Sequence, residues 1–282
     1  KDLKVMEIKV EEKPTGEIAA GAGVGTEGTS FNFSLTENNY LGKGLNVDAS
    51  LNVSEQAIRG GLSMKEPNFR NSGNLVWGGL TNTKTDRPDS GYKNTLTKFD
   101  LGTKFEHLTN LYVSPNITLT FDDLEVTDSA TASMKKQAGN FTELNFGYGI
   151  EKDNRDRPFM PTSGSIVSFH QGLPLYSDQA SIFNSVSYTK YHLFTENVIG
   201  ALKFYGANIT AIEDDVRLSK RLHISSRRLR GFESHKVGPK DGLDYVGGNY
   251  ATALNFEAAL PNLLPESTQT DIALFMDMGN LW

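Results

Sequence analysis

The sequence predicts an all-β chain, and within that class a transmembrane antiparallel β-barrel. Three observations carry the prediction. Apolar and polar residues alternate with period two over long stretches, which gives each strand one apolar face. Many of these stretches run to about ten residues or more, the length that crosses a bilayer when tilted, whereas soluble strands usually have about five or six. The opposite faces carry Lys98, Asp100 and Lys104, or Asp48 with Asn46 and Asn52, which suits a wet interior. A soluble sandwich with one solvated face shares the alternation but not the strand length.

The opening residues hold a short alternating stretch of Leu3, Val5, Ile8 and Val10 that Pro14 stops. It reads as the tail of an upstream domain, with the barrel over 14–282. The first strand, at about 16–26, sets Gly21, Gly23 and Gly25 on one face and Ile18, Ala20, Ala22 and Val24 on the other. At 29–37, Phe31, Phe33 and Leu35 alternate with Asn32, Ser34 and Thr36, and at 45–54 every odd position is apolar. Strands follow at 57–66 and 73–84. At 95–107, Phe99, Leu101 and Phe105 oppose the charged set named above. At 111–125, Leu111, Val113, Pro115, Ile117, Leu119 and Phe121 share a face. Further strands are expected at 141–152, 164–173, 181–193, 197–210, 249–261 and 270–282, those over 181–210 alternating less cleanly.

Turn formers separate the strands: Asn38-Asn39, Gly42-Lys43-Gly44, Pro67-Asn68, Asn71-Ser72-Gly73, Arg87-Pro88-Asp89-Ser90-Gly91, Pro161-Thr162-Ser163-Gly164 and Pro174. No three-turn helix and no fixed-length repeat stands out. The total is about thirteen strands. Single-chain bacterial barrels have an even number and leave no open edge in lipid, so closing strands are expected beyond Trp282.

Composition narrows the function. The chain has 282 residues, 38% hydrophobic and 22% charged, with 27 glycines, 10 prolines and no cysteine. Its aliphatic and aromatic content excludes disorder. The missing cysteine excludes disulfide scaffolds, cysteine-ligated zinc, iron–sulfur clusters and thiol catalysis. A net charge of −6 carries no nucleic-acid footprint, which is normally basic. No 18-residue apolar run occurs, which excludes a helical membrane bundle. There is no Gly-x-Ser-x-Gly elbow. The five histidines, His107, His170, His192, His223 and His235, are scattered without metal-site spacing. Asp122-Asp123 and Asp214-Asp215 read as strand-end or loop charges, since neighbours in a strand face opposite ways. Neither catalysis nor a cofactor or metal is expected.

One connection is long. From about Glu213 to Gly248 the alternation stops and the chain turns charged and glycine-rich, with Arg227-Arg228-Leu229-Arg230-Gly231-Phe232 near its centre. Connections beyond about 12–15 residues are usually functional or disordered. Leu229, Phe232, Val237, Tyr245 and Val246 are apolar enough to pack. Inside a barrel Arg230 would need a carboxylate, because an unpaired buried charge is costly. In the last strand Leu274, Met276 and Met278 share one face while Phe275 and Asp277 share the other. Asp277 would suit a guanidinium, whose fork matches a carboxylate.

Arg230-Gly231-Phe232, followed by Gly238-Pro239-Lys240 and Gly247-Gly248-Asn249, resembles the lumenal loop of the BamA / sorting-and-assembly barrel superfamily of outer-membrane assembly factors. Asp156-Arg157, with Pro161-Thr162-Ser163-Gly164 after it, is similar to the family's turn before its ninth strand. Phe256-Glu257 with Pro261 is similar to its twelfth strand, and Phe275 to Trp282 to its thirteenth. Pro14-Thr15-Gly16 with Asn39 to Gly44 is similar to the end of its last POTRA domain and its first two strands. Leu229 stands where the family often has Val or Ile. The resemblance covers nearly the whole chain.

The resemblance implies a sixteen-stranded barrel, about thirteen strands of it present here. Residues 1–13 would end the last POTRA domain, and 213–248 would fold into the lumen. It implies pairing of Arg230 with Glu257 and Asp277. It also implies a lateral seam along Gly16, Ile18, Ala20, Gly21, Ala22, Gly23, Val24 and Gly25, where client strands add to an exposed edge. The implied activity is folding and insertion of β-barrel proteins in a bacterial outer membrane. The implied partners are the outer-membrane bilayer, unfolded outer-membrane clients, accessory assembly lipoproteins reached through upstream POTRA domains, and periplasmic chaperones. Nucleic acid is not among them. Family siblings that export or insert other substrates (a translocation and assembly module or a two-partner secretion transporter) stay open as alternatives, with a passive porin further off.

Overall fold

The computed structural model describes residues 9–282 apart from Val10, Glu12, Thr26, Glu27, Pro88, Asp89, Ser129, Asp214, Ser234, Asn262, Glu266, Ser267 and Gln269. The expected tail of an upstream domain over 1–13 lies largely outside the described residues, as does Asp214.

Thirteen long strands form one antiparallel sheet in which each pairs with the long strands next to it in sequence. They are β1 Gly16–Gly25, β2 Gly28–Tyr40, β3 Leu45–Ser54, β4 Ala57–Glu66, β5 Leu75–Arg87, β6 Tyr92–Leu108, β7 Leu111–Val126, β8 Gly139–Asp153, β9 Gly164–Ser177, β10 Ser181–Thr195, β11 Val198–Ala211, β14 Tyr250–Leu260 and β15 Ile272–Leu281. A two-residue hairpin, β12 Lys240–Asp241 with β13 Asp244–Tyr245, sits by itself inside the long connection. Among the described residues, helix is confined to short turns such as Ala132–Lys135. Among the described residues β1 and β15 each pair on one side only.

Several boundaries differ from the sequence reading. Asn38-Asn39 is not a turn but lies within β2, and β5 runs on to Arg87, since both ladders continue past the apolar alternation. Pro174 is not a turn but lies within β9, where a register shift opposite Leu144/Asn145 absorbs the missing N–H. β6 starts at Tyr92 rather than near 95, because polar pairs extend the ladder past the apolar alternation: Asp86 opposes Lys93, and their side chains form an ion pair at 2.7 Å.

The register lines apolar residues into rows that cross many strands. Ala49, Leu62, Leu80, Phe99, Leu119 and Leu144 make one such row. Gly78, Leu101, Ile117, Phe146 and Leu173 make the next. These rows are the exposed face: Leu62 is 54% and Leu101 62% accessible. In a soluble sheet this face would be covered; a face this apolar is stable against hydrocarbon.

The buried residues lie elsewhere. They gather in two small clusters where the connection 212–249 meets the sheet: Tyr92, Leu124, Ala130, Met134, Leu218 and Val246 in one, Ile224, Leu229, Ala251 and Leu281 in the other. The connection also shows that the sheet curls. A Cβ built on Gly91, at the start of β6, would lie 2.6 Å from Asp244 Oδ2, and one on Gly248 would lie 2.6 Å from the Trp282 carbonyl at the end of β15. Four residues span at most about 14 Å, yet β6 and β15 are seven interstrand steps apart, or about 34 Å along the sheet. A flat sheet cannot bring both to one short stretch. The polar face is therefore concave and the apolar face convex.

This inversion predicts that an outward charge is costly. Leu101→Arg in full-length protein is expected to destabilise the barrel by about 2–4 kcal/mol in lipid vesicles, read from equilibrium unfolding. A variant as stable as wild type would argue against a lipid-facing row.

Candidate functional site

The centre of the 212–249 connection is held to β14 and β15 by Arg230. Its Nε and Nη2 donate to Asp277 Oδ2 and Oδ1 at 2.8 and 2.7 Å, a parallel fork. The Arg230 backbone N–H adds a bond to Asp277 Oδ2 at 2.9 Å, and Nη1 reaches Glu257 Oε2 at 3.2 Å. The guanidinium also lies 3.8 Å from the centre of the Phe275 ring. Parity explains why these groups meet. Glu257, Phe275 and Asp277 sit on the concave face, and Glu257 opposes Phe275 across the β14–β15 ladder. The Asp277 side chain is 2% exposed, so the arginine is its replacement for water. Lys203 of β11 shares Glu257 at 3.0 Å, and Asn255 Nδ2 donates to the Arg228 carbonyl at 2.8 Å.

The other motif residues divide. Gly231 has φ +87°, a left-handed conformation that a side chain would strain. That turn carries the chain away from the wall, so Phe232 is half exposed rather than packed. Leu229 does pack, against Ile224, Ala251 and Leu281. At the loop's exit, the Asn249 and Tyr250 N–H groups both donate to the Trp282 carbonyl at 2.8 Å, and the Tyr250 and Trp282 rings stack.

A second clamp lies on the opposite wall, and sequence reading missed it. Arg217 Nε donates to Asp122 Oδ2 at 3.1 Å and Nη2 to Glu143 Oε1 at 2.8 Å. Lys220 joins Glu143 at 2.7 Å, and Ser219 donates to Asp122. Arg217 and both carboxylates are almost fully buried. Asp122 is therefore not a strand-end surface charge: it lies within β7, on the concave face, and only Asp123 turns outward. Its lone signal was position, a carboxylate continuing the polar face of a strand. Beyond both clamps in the chain, Asp241 accepts from Thr131 and Ser133 of the β7–β8 loop at 2.7 and 2.6 Å.

The turn before β9 is a self-contained knot. Asp156 accepts from the Thr162 N–H at 3.0 Å, the Thr162 hydroxyl at 2.7 Å and the Ser163 N–H at 3.1 Å. Arg157 Nε donates to the Met160 carbonyl at 2.7 Å. Gly164 has φ +93°, and a Cβ there would lie 2.1 Å from the Asn154 carbonyl, so no other residue fits. Pro161 ends the excursion that Asp156 ties back. The bonds to Thr162 and Ser163 hold the Asp156 carboxyl down at about 2.

The remaining candidates are placed as follows. Ile18, Ala20, Ala22 and Val24 face outward, opposite Leu35, Phe33, Phe31 and Thr29 of β2, with Gly21 and Gly23 on the concave side. His223 and His235, twelve residues apart in the long connection, meet edge to face with ring centres 4.7 Å apart. Among the described residues no three His, Asp or Glu groups stand close enough to hold a metal. The site is a set of mechanical fastenings between a loop and two walls.

Comparison with known proteins gives the same architecture. The Omp85 superfamily domain matches residues 15–282. The outer membrane protein assembly factor BamA of Neorickettsia risticii is 23% identical over 98% of this chain, which spans 38% of that protein's length. The crystal structure of BamA from Haemophilus ducreyi lacking POTRA domains 1–3 superposes with a TM-score of 0.83 at 22% identity, covering 96% of this chain and 58% of that one. CdiB from Escherichia coli superposes with a TM-score of 0.58 at 17% identity, covering 91% of this chain and 50% of that one.

Two predictions follow from the fastenings. Arg230→Ala strands a buried carboxylate, which costs about 3–5 kcal/mol for a fully buried pair; with the Arg230 side chain 29% exposed the lower end is expected. Protease sensitivity within 224–237 and earlier unfolding would report it, and wild-type behaviour in both would refute the clamp. For Asp156, the folded carboxyl titrates below its ordinary 3.8, so its contribution to the turn is complete above that value and lost as pH falls through about 2. The Thr162 amide resonance should titrate with a midpoint at about 2; a midpoint at the ordinary value would mean that the knot does not form.

Proposed function

The chain belongs to the Omp85 superfamily, and on that premise we propose that it folds and inserts β-barrel proteins into a bacterial outer membrane by offering the edge of β1 to client strands. The make-up of β1 carries the reading. Alternate backbone N–H and C=O groups from Gly16 to Gly25 point away from β2, its partner in the sheet. An incoming strand can take up those groups by β-augmentation.

The glycines support this use of the edge. A Cβ on Gly21 would meet nothing within 4 Å, and one on Gly23 would lie 3.7 Å from Ser30 Oγ. Neither glycine is demanded by a close neighbour or by a left-handed backbone. What they remove is cross-strand packing, and a weakly packed strand exchanges partners at low cost. The opposite end of the sheet is built the other way: β14 and β15 are fastened to the loop through Arg230, Glu257 and Asp277. A stiff wall and a loosely packed edge on one curved sheet fit a device that opens at one place. The name of the Neorickettsia relative, an outer membrane protein assembly factor, points the same way. In this reading the work is strand templating without bond chemistry, and the partners are the bilayer and unfolded barrel clients. Accessory lipoproteins and periplasmic chaperones would engage through upstream POTRA domains.

The test is crosslinking in full-length protein. Single cysteines at each of residues 16–25 are paired with a cysteine in the terminal strand of a client stalled during insertion. Adducts at alternate positions along β1 are expected. No adduct anywhere along it would sink the proposal.

A further inference from the structure

The stretch over 181–210 alternates poorly because its outward face carries polar residues among apolar ones. The register defines that face. Lys190, Leu202, Phe256 and Met276 form one row across β10, β11, β14 and β15, and His192, Gly200, Ala258 and Leu274 form the next. Rows deeper along the same face hold Tyr188, Phe204, Leu254 and Met278, and Leu260 opposes Ile272 at the strand ends. Two basic side chains thus stand in an apolar band. Lys190 makes no hydrogen bond or ion pair with any described residue, whereas the outward Lys93 and Lys152 are held at 2.7 Å by Asp86 and at 2.6 Å by the Thr109 carbonyl.

Beside these bases lies a groove of about 450 Å³, walled by Phe194, Leu202, Phe256, Leu274 and Met276. Its floor is made of small residues. Gly200 allows the Phe194 ring to fold over it, since a Cβ there would lie 2.4 Å from that ring. Phe194 in turn meets His192 edge to face, ring centres 4.7 Å apart. The groove spans three interstrand steps, about 14 Å across the strands, wide enough to seat an acyl chain. Lys190 is five residues from the end of β10 at Thr195, about 16 Å along a tilted strand, or about 12 Å along the bilayer normal. A lysine there can reach headgroup depth along its own stem.

We propose that this face is a binding site for one anionic phospholipid, with the headgroup phosphate on Lys190 and His192 and an acyl chain in the groove. An unpaired cation on a lipid-facing wall is costly, and a phosphate removes that cost by ion pairing. The groove beside it takes the apolar part of the same molecule, so the two features call for an amphiphile rather than for a soluble anion or a purely apolar partner. The site faces away from the concave surface and the β1 edge. It rests on the membrane reading and stands independently of strand templating.

The test uses full-length protein in phosphatidylcholine vesicles containing a small fraction of phosphatidylglycerol with a photoactivatable acyl chain. Labelling should concentrate on peptides covering 198–204, 254–258 and 272–278, and unlabelled phosphatidylglycerol should compete for it where added phosphatidylcholine does not. Lys190→Gln should lower that labelling about fivefold. Ala258→Trp, which fills the groove and leaves Lys190 in place, should abolish it, with the heat-modified gel shift confirming that both variants fold. Labelling spread evenly around the barrel, equal labelling by a phosphatidylcholine probe, or labelling unchanged in both variants would overturn the site. Absence of label anywhere on the protein would overturn the membrane reading with it.

Discussion

Arg230 meets Asp277 with a parallel pair of N–H donors and a backbone N–H, and the rest of the concave face depends on that contact and its counterpart at Arg217. The 212–249 connection has almost no repetitive structure to hold it in shape. What positions it is charge matched to charge at two walls, Arg230 on β14 and β15 and Arg217 with Lys220 on β7 and β8. Each partner would be a liability without the other, since a buried carboxylate facing no cation is among the costliest groups a protein can carry. The loop and the walls are thus specified together. Small apolar clusters around Leu218, Leu229 and Val246 exclude water from the same points, which strengthens the ion pairs they surround.

The sheet around the loop is an inverted globule. Its largest apolar rows face out, and its polar rows face a concave surface that a charged loop partly fills. Curvature links the two halves of the design. Because the sheet bends enough for one short stretch to touch both β6 and β15, a single connection can brace walls that are seven strands apart. The brace falls on β7, β8, β14 and β15 and not on the glycine-rich β1, so rigidity and looseness are divided along the sheet rather than mixed.

Much of this was legible in the sequence, for a physical reason: strand side chains alternate whatever the tertiary setting. Period two located the thirteen long strands, their faces and the parity that puts Glu257 and Asp277 on one side. It failed where other forces set the ladder, at Pro174 inside a bulge and at the polar pairs that begin β6. The Arg217 clamp left no local trace. Its partners lie 95 and 74 residues away, and Asp122 looked like half of an adjacent surface pair. The meeting of His223 with His235 was hidden in the same way, by a connection without a period. Conversely, the imperfect alternation over 181–210 was information rather than noise, since it marks the basic residues on the outward face.

The spacing of the two clamps has a consequence for how the loop lets go. Arg217 and Arg230 are thirteen residues apart, which leaves a short tether when either one releases. Closing so short a loop costs little chain entropy, and a tethered group meets its site at an effective concentration in the millimolar range. A freed arginine is therefore recaptured before its companion opens. The loop loosens in reversible steps at one wall or the other, and only the rare coincidence of both releases sets it free, as with a latch that has two catches.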